Sequence, residues 1–343
     1  MVDSSVYNRG KLGIISCESG RHFADKVVER LKEIMNKEGN SEEILRKSKE
    51  TVFANTEIKT EIEESIRNQD VYIFQDVENN SKGMSVNDNL MALKTAINAA
   101  KLSNAHCITA VIPVYPYARQ DKPKTREGIS AAMIARELED CGASRVITLD
   151  VHNDAITGFF RNASLENLKA SKDLMDYVKL NIGTENLVVV AADVGAAPRA
   201  DFFARRLGTK LAIMHKERDY SHANTVENMN LVGDVSGKDV LVTEDMIDTA
   251  GTLVVAARKL KESGAKRVFF SASLAMLNGP AVDRIDKAYK EGFITKVIGT
   301  NVIFREQDFS KEHPWYDEVK LEKYFARVIY NINKGKSITK LLD

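Results

Sequence analysis

The sequence predicts an α/β protein built from two doubly wound parallel-sheet domains. Short β-branched runs alternate with longer segments whose apolar positions recur at helical spacing, and such alternation rarely gives anything but right-handed crossovers on a parallel sheet. The short runs are largely apolar throughout, as strands covered on both faces are. The chain has 343 residues, enough for two cores at about 100–200 residues each.

Taken in order, residues 12–17 form the first strand and residues 21–37 an amphipathic helix. Residues 38–51 read as an insertion. Strand 71–75, helix 86–103, strand 108–114, helix 129–140 and strand 145–150 complete the first half. A seam near 160–170 divides an N-terminal domain, residues 1–166, from a second, residues 167–319. The second half reads as helix 168–181, strand 187–191, helix 199–207, strand 240–243, helix 252–263, strand 267–272, helix 280–291 and strand 296–302. A last helix near 321–333 follows a loop containing His313, Pro314 and Trp315, and the segment 320–343 is expected to return to the first domain. No fixed repeat of about 20–50 residues is visible, which disfavours solenoids and propellers.

Composition narrows the function. Lysine and arginine number 49 and aspartate and glutamate 49, so no overall field attracts nucleic acid or an anionic membrane. Hydrophobic residues at 43%, charged residues at 29% and only six prolines describe an ordinary globular chain rather than a disordered or fibrous one. Cys17, Cys107 and Cys141 are odd in number and far apart, which suits a reducing compartment better than a disulfide framework or a CxxC site. Residues 1–11 lack the apolar stretch of a secretory signal, and no run of about 18 uncharged apolar residues spans a bilayer. The expected location is cytoplasmic.

In open parallel sheets, ligands bind beyond the carboxyl ends of strands, where free N–H groups at helix starts suit anions. The strand at 240–243 runs into two acids, Glu244 and Asp245, placed for sugar hydroxyls. Asp248, Thr249, Ala250, Gly251 and Thr252 then combine a capping acid, two hydroxyls, a small side chain and a glycine, which lets a monophosphate approach the backbone. The plain alternative is an ordinary N-cap, with Asp248 or Thr249 closing the helix and the acids solvated.

After strand 108–114 comes Tyr115-Pro116-Tyr117-Ala118-Arg119-Gln120-Asp121. Arg119 offers a planar fork for phosphate oxygens or a purine face, Gln120 can pair with a ring edge, and Asp121 can fix Arg119 or accept an amine. A charged surface loop is the bland reading. The chain has neither GxxxxGK[ST] nor GxGxxG, so a bound triphosphate would rely on metal and basic groups. His152 and Asp193 each follow a strand, and Pro198 suits the start of a helix behind the compact Gly195-Ala196-Ala197 turn.

Residues 244–252 resemble the motif for 5-phosphoribosyl 1-pyrophosphate and ribose 5-phosphate in type I phosphoribosyltransferases and ribose-phosphate pyrophosphokinases. The pentad Tyr117-Ala118-Arg119-Gln120-Asp121 is similar to the ATP-binding segment of the pyrophosphokinases. Val86-Asn87-Asp88-Asn89-Leu90-Met91, Asp150-Val151-His152 leading to Gly158-Phe159-Phe160, Gly233-Asp234-Val235 and Asn278-Gly279-Pro280-Ala281 extend the resemblance, in family order, over nearly the whole chain.

That resemblance implies two domains of phosphoribosyltransferase type. The implied reaction transfers the pyrophosphoryl group of Mg-ATP to the anomeric hydroxyl of ribose 5-phosphate, giving 5-phosphoribosyl 1-pyrophosphate and AMP. It assigns catalysis to Lys216 and Arg218 on a mobile flap reaching to Asn230. It assigns ATP to Arg119, Gln120 and Asp121, together with Phe53, Asn55 and Glu57 from a neighbouring subunit. Ribose 5-phosphate falls to Glu244, Asp245 and residues 248–252, and Mg²⁺ to His152, Asp193 and Asp150, the last either directly or by orienting His152. A subunit-spanning site implies a dimer-based homo-oligomer, up to a hexamer.

Several positions depart from the family pattern. Asn55 replaces an aspartate, Ala191-Ala192-Asp193-Val194-Gly195-Ala196 replaces Ser-Pro-Asp-x-Gly-Gly, and Glu244 replaces the first of two aspartates. Glu217 replaces the middle arginine of Lys-Arg-Arg. Arg161 stands where an acid commonly follows the Phe-Phe pair, with Glu166 as a candidate substitute. Two alternatives stay open on the sequence: a non-catalytic regulatory homologue, and a type I phosphoribosyltransferase.

Overall fold

Leu12–Ser16 (β1) is buried at all five positions, as an interior parallel strand must be. Arg21–Lys37 (α1) follows, burying Phe23, Ala24, Val27, Val28, Leu31 and Met35 on one stripe. The computed structural model describes residues 9–218 and 226–342. They divide into two compact units, one running to Lys169 with Asn301–Phe304 and the chain from Leu321 onward, the other comprising Ala170–Thr300 and Arg305–Lys320.

In the first unit, Ser48–Val52 (β2) and Ile58–Ile62 (β3) form an antiparallel hairpin. Asp70–Phe74 (β4), Val86–Leu102 (α2), Cys107–Val111 (β5), Ser130–Cys141 (α3), Arg145–Leu149 (β6) and Ser164–Leu168 (β7) complete it. The parallel sheet runs β1-β4-β5-β6-β7. A capping box opens α2: Ser85 Oγ accepts from Asp88 N at 3.2 Å, and the Asp88 carboxylate accepts from Ser85 N at 2.9 Å. The 38–51 segment is more than an insertion. Ile14 N donates to Ile44 O and Arg46 N to Ile14 O, both at 2.7 Å, which brings Leu45 alongside Ile14 in a parallel bridge on the free edge of β1, and Ser48–Val52 is already strand. Likewise the start of the expected helix 168–181 is corrected: residues 164–168 extend the sheet, and the helix begins at Ser171.

The second unit contains Ser171–Asn181 (α4), Leu187–Ala191 (β8), Ala197–Leu207 (α5), Lys210–Arg218 (β9), Val226–Val232 (β10), Asp239–Ile247 (β11), Gly251–Glu262 (α6), Arg267–Ala275 (β12), Ala281–Lys290 (α7), Lys296–Thr300 (β13), Phe309–Glu312 (α8) and Tyr316–Val319 (β14). Its sheet runs β10-β9-β8-β11-β12-β13-β14, parallel except for the β9–β10 pair. From β8 the chain moves outward through α5 to β9, whereas from β11 it moves the other way through α6 and α7. The order therefore reverses between β8 and β11, the point at which a doubly wound sheet opens a crevice. Glu322–Asn333 (α9) lies in the first unit against α1. No helix among the described residues is long and apolar enough to cross a membrane.

Candidate active site

In the first unit the Tyr117–Asp121 pentad lies beyond the carboxyl end of β5 and is held from below. Tyr115 is buried and its hydroxyl donates to Ala131 O at 3.0 Å. Tyr117 takes a left-handed φ of 59°, and its hydroxyl bonds to Asn87 in the first turn of α2. These anchors leave Arg119 and Gln120 exposed. The Gln120 side-chain oxygen accepts from Ser130 Oγ at 2.7 Å, fastening the loop to the start of α3.

Asp121 accepts from Asn153 Nδ2 at 2.5 Å, and Asn153 Oδ1 in turn accepts from Ala155 N at 3.0 Å. That chain of bonds joins the pentad to the Asp150-Val151-His152 loop beyond β6. Asp150 is 2% exposed and has a φ of 42°, while His152 is exposed. Arg119, Gln120, Asp121, Asp150 and His152 thus come from adjacent strand ends of one sheet.

Phe53, Asn55 and Glu57 cap the β2–β3 hairpin rather than entering the core. Phe53 N donates to Glu57 O at 2.9 Å, Asn55 Oδ1 accepts from Glu57 N at 3.2 Å, and Thr56 supplies the left-handed turn residue. Phe53 is 47% exposed. Phe53 is therefore not a core residue of this unit.

In the second unit, β11 continues to Ile247, so Glu244 and Asp245 lie within a strand and not after its end. The expected boundary at residue 243 falls short because β12 carries the pairing on, through Glu244↔Ala272 and Met246↔Leu274. On the other side β8 pairs with β11 only as far as Val242. Past that point the chain of β8 turns away through Asp193, and Glu244 pairs with β12 alone. Burial raises the Glu244 carboxyl to about 8, helped by the charges of Asp245 and Asp193 and opposed by Arg199. Asp193 Oδ1 also accepts from Ala196 N at 2.8 Å, shaping the turn into α5.

The loop after β11 is corrected in one respect. Neither Asp248 nor Thr249 caps α6: the N-cap is Ala250, left-handed at φ 57°, with no side-chain bond to the helix start. The N-cap residue itself thus offers no side-chain acceptor to the first-turn N–H groups of α6, and a helix start is where an anion is received. Arg284 Nη1 donates to Thr249 O at 2.8 Å and Asn278 N to Asp248 O at 3.0 Å, which fixes the loop from the β12–α7 side.

Lys216 and Arg218 belong to β9, not to a loop, since their backbone pairs with β10 at Met229 and Val226. Their side chains, and residues 219–225 of the expected flap, lie outside the described residues. Sequence reasoning passed over Asn153, Asn167, Lys169, Arg199 and Arg284, which support these loops; Asn153, one residue past His152 at the start of a short 3₁₀ turn, carried an Asx-cap signal. Among the described residues no group of three or more His, Cys, Asp or Glu side chains is arranged to hold a metal. A hard divalent ion that keeps waters and takes phosphate oxygens needs only one or two protein ligands. The donors present fit an ion that arrives with a nucleotide.

A reversed parallel sheet with acids and an uncapped helix start at its switch point defines a phosphoribosyltransferase-type protein. Residues 162–307 match the phosphoribosyl transferase domain, and residues 12–142 match the N-terminal domain of ribose phosphate pyrophosphokinase. The ribose-phosphate pyrophosphokinase of Chlorobaculum tepidum is 41% identical, with 85% of each chain covered. Ribose-phosphate pyrophosphokinase 1 of Listeria monocytogenes is 38% identical over 99% of this chain and 100% of that one. The crystal structure of phosphoribosylpyrophosphate synthetase from Mycobacterium smegmatis superposes with a TM-score of 0.82 at 32% identity, covering 95% of this chain and 100% of the other. The chain belongs to the ribose-phosphate pyrophosphokinase family.

Proposed function

We propose that this protein is a ribose-phosphate diphosphokinase, converting ATP and ribose 5-phosphate to 5-phosphoribosyl 1-pyrophosphate and AMP. The observation that carries the reading is the uncapped start of α6 beside Glu244 and Asp245, a phosphate cradle next to hydroxyl acceptors. Thr249, Ala250, Gly251 and Thr252, with Asp248, take the 5-phosphate, and Glu244 and Asp245 take the ring hydroxyls. Arg119, Gln120 and Asp121 hold the nucleotide, with Phe53, Asn55 and Glu57 supplied to its base by a second copy in a homo-oligomer.

The anomeric oxygen attacks the β-phosphorus, a new C1–O–P bond forms, the bridging α–β oxygen leaves with AMP, and the hydroxyl proton is released. Catalysis of such a step is mostly alignment and neutralisation of spreading charge. Lys216 and Arg218 serve that neutralisation. Asp150 with His152 in the first unit would hold Mg²⁺, and Asp193 in the second offers a separate carboxylate for such an ion, which would supply shielding of the phosphate oxygens. Three free thiols support a reducing, cytoplasmic setting.

Phosphorus NMR of the purified protein with Mg²⁺, ATP and ribose 5-phosphate tests the reading. The expected result is sugar-dependent AMP with a new C1 diphosphate; absence of both would leave a non-catalytic homologue, and base-dependent pyrophosphate release without AMP would indicate a phosphoribosyltransferase. Lys216→Ala is expected to lower kcat by at least about a hundredfold, the loss that removal of one transition-state donor brings, while ATP binding measured by calorimetry stays near normal.

A further inference from the structure

Three consecutive residues at the end of β7 grip the loop that carries Asp150 and His152. The Leu168 carbonyl accepts from Asp150 N at 2.8 Å. The Asn167 side chain accepts from Val151 N at 3.0 Å and donates to Asp154 Oδ1 at 2.7 Å. Lys169 places its ammonium 3.2 Å from Asp154 Oδ1 and 3.9 Å from Asp150 Oδ1. Its backbone is steadied as well, since Lys169 N reaches the Tyr324 hydroxyl of α9 at 3.5 Å.

We infer that Lys169 is a positioning residue of the nucleotide half-site and an internal counter-ion, which competes with a divalent cation for Asp150 until a nucleotide draws the ammonium away. Asp150 is almost wholly removed from water, so its charge needs compensation within the protein. A fixed ammonium beside that carboxylate repels a bare divalent ion arriving alone. Nucleotide phosphates offer Lys169 another anionic partner, and the carboxylate is then released to the ion that accompanies them. Metal loading thereby becomes coupled to nucleotide loading, which limits idle metal binding in the empty enzyme. The inference rests on the proposal that Asp150 and His152 receive the divalent ion.

The test is a titration of the nucleotide-free full chain with Mn²⁺ alone, followed by loss of the free-ion electron paramagnetic resonance signal. Lys169→Met is expected to tighten Mn²⁺ at least about fivefold, the effect of one nearby ammonium in a water-like dielectric with physiological salt. Lys169→Arg, which keeps the charge, should stay at wild-type affinity. A purely structural role would instead weaken binding in the Met variant. Lys169→Gln gives the same reading should the Met variant not fold. The inference is overturned if Asp150→Asn weakens Mn²⁺ binding while Lys169→Met and Lys169→Gln leave it unchanged or weaker. If Asp150→Asn has no effect either, the metal assignment itself falls, and the inference with it.

Discussion

Glu244 is the residue at which charge and burial conflict most. A carboxyl raised to about 8 in the folded chain, from an ordinary 4.5, makes folding favour the protonated form. Its contribution to stability is whole below about 4.5 and declines as pH rises toward about 8, because the unfolded chain has already released the proton that the folded one retains. In buffer with a metal chelator, the melting temperature of the wild type should therefore fall between pH 5 and pH 8 more than that of Glu244→Gln, whose neutral amide removes the buried charge. Differential scanning at the two pH values checks this. Equal slopes in both proteins would show that Glu244 titrates normally. Above about pH 8 the same substitution should weaken ribose 5-phosphate binding, since the ionised carboxylate accepts charge-assisted hydrogen bonds on two oxygens whereas the amide has a single neutral acceptor oxygen.

At the scale of elements, the β2–β3 hairpin carries Phe53 at its tip on an edge that has no core to support. Truncating an exposed ring leaves folding nearly untouched, whereas base–aromatic stacking is worth about 1–3 kcal/mol. Phe53→Ala is thus expected to raise KM for ATP by about five- to hundredfold, with kcat and the melting temperature close to wild type; an unchanged KM would detach the hairpin from the adenine. The hairpin was hidden in the sequence because Ser-Lys-Glu-Thr-Val is mostly polar and half exposed, while Ile58, Thr60 and Ile62 alternate in a way that only a partner strand makes decisive. The same limit hid β7, β10 and β14, whose pairing partners set their conformation more than their own propensities do. Strands buried on both faces, such as Leu187–Ala191, and helices with a clean apolar stripe, such as Arg21–Lys37, were legible to the residue. The phosphate loop was legible as a motif but not as geometry. That Ala250 and not Asp248 occupies the N-cap depends on the backbone dihedral at Ala250, and so do the uncapped N–H groups that follow.

For the molecule as a whole, the consequential feature is that the chain returns to the first unit after completing the second. Phe325 of α9 packs edge-on against Phe23 of α1 with ring centres 5.0 Å apart, and Phe325, Ala326, Val328 and Ile329 are fully buried. Asp70, 0% exposed at the start of β4, accepts from Arg9 Nε and Nη2 at 3.0 Å each, from Tyr72 Oη at 3.1 Å and from Asn333 Nδ2 at 3.1 Å, and so ties residues from both ends of the first unit's chain. Removing the charge of one partner from such a group leaves the other uncompensated, at a cost of about 3–5 kcal/mol. Asp70→Asn should lose that much in urea unfolding followed by circular dichroism. A chain ended at Lys320 should lose more, because α1 would be stripped of the buried apolar stripe of α9 packed against it. The single tryptophan, Trp315, is buried in the second unit, and separates the two outcomes. The truncated chain is expected to keep the emission of a buried indole while losing helical signal and binding a dye specific for exposed apolar surface. If it instead retains full ellipticity and cooperative unfolding, α9 is an accessory and the first unit is complete without it.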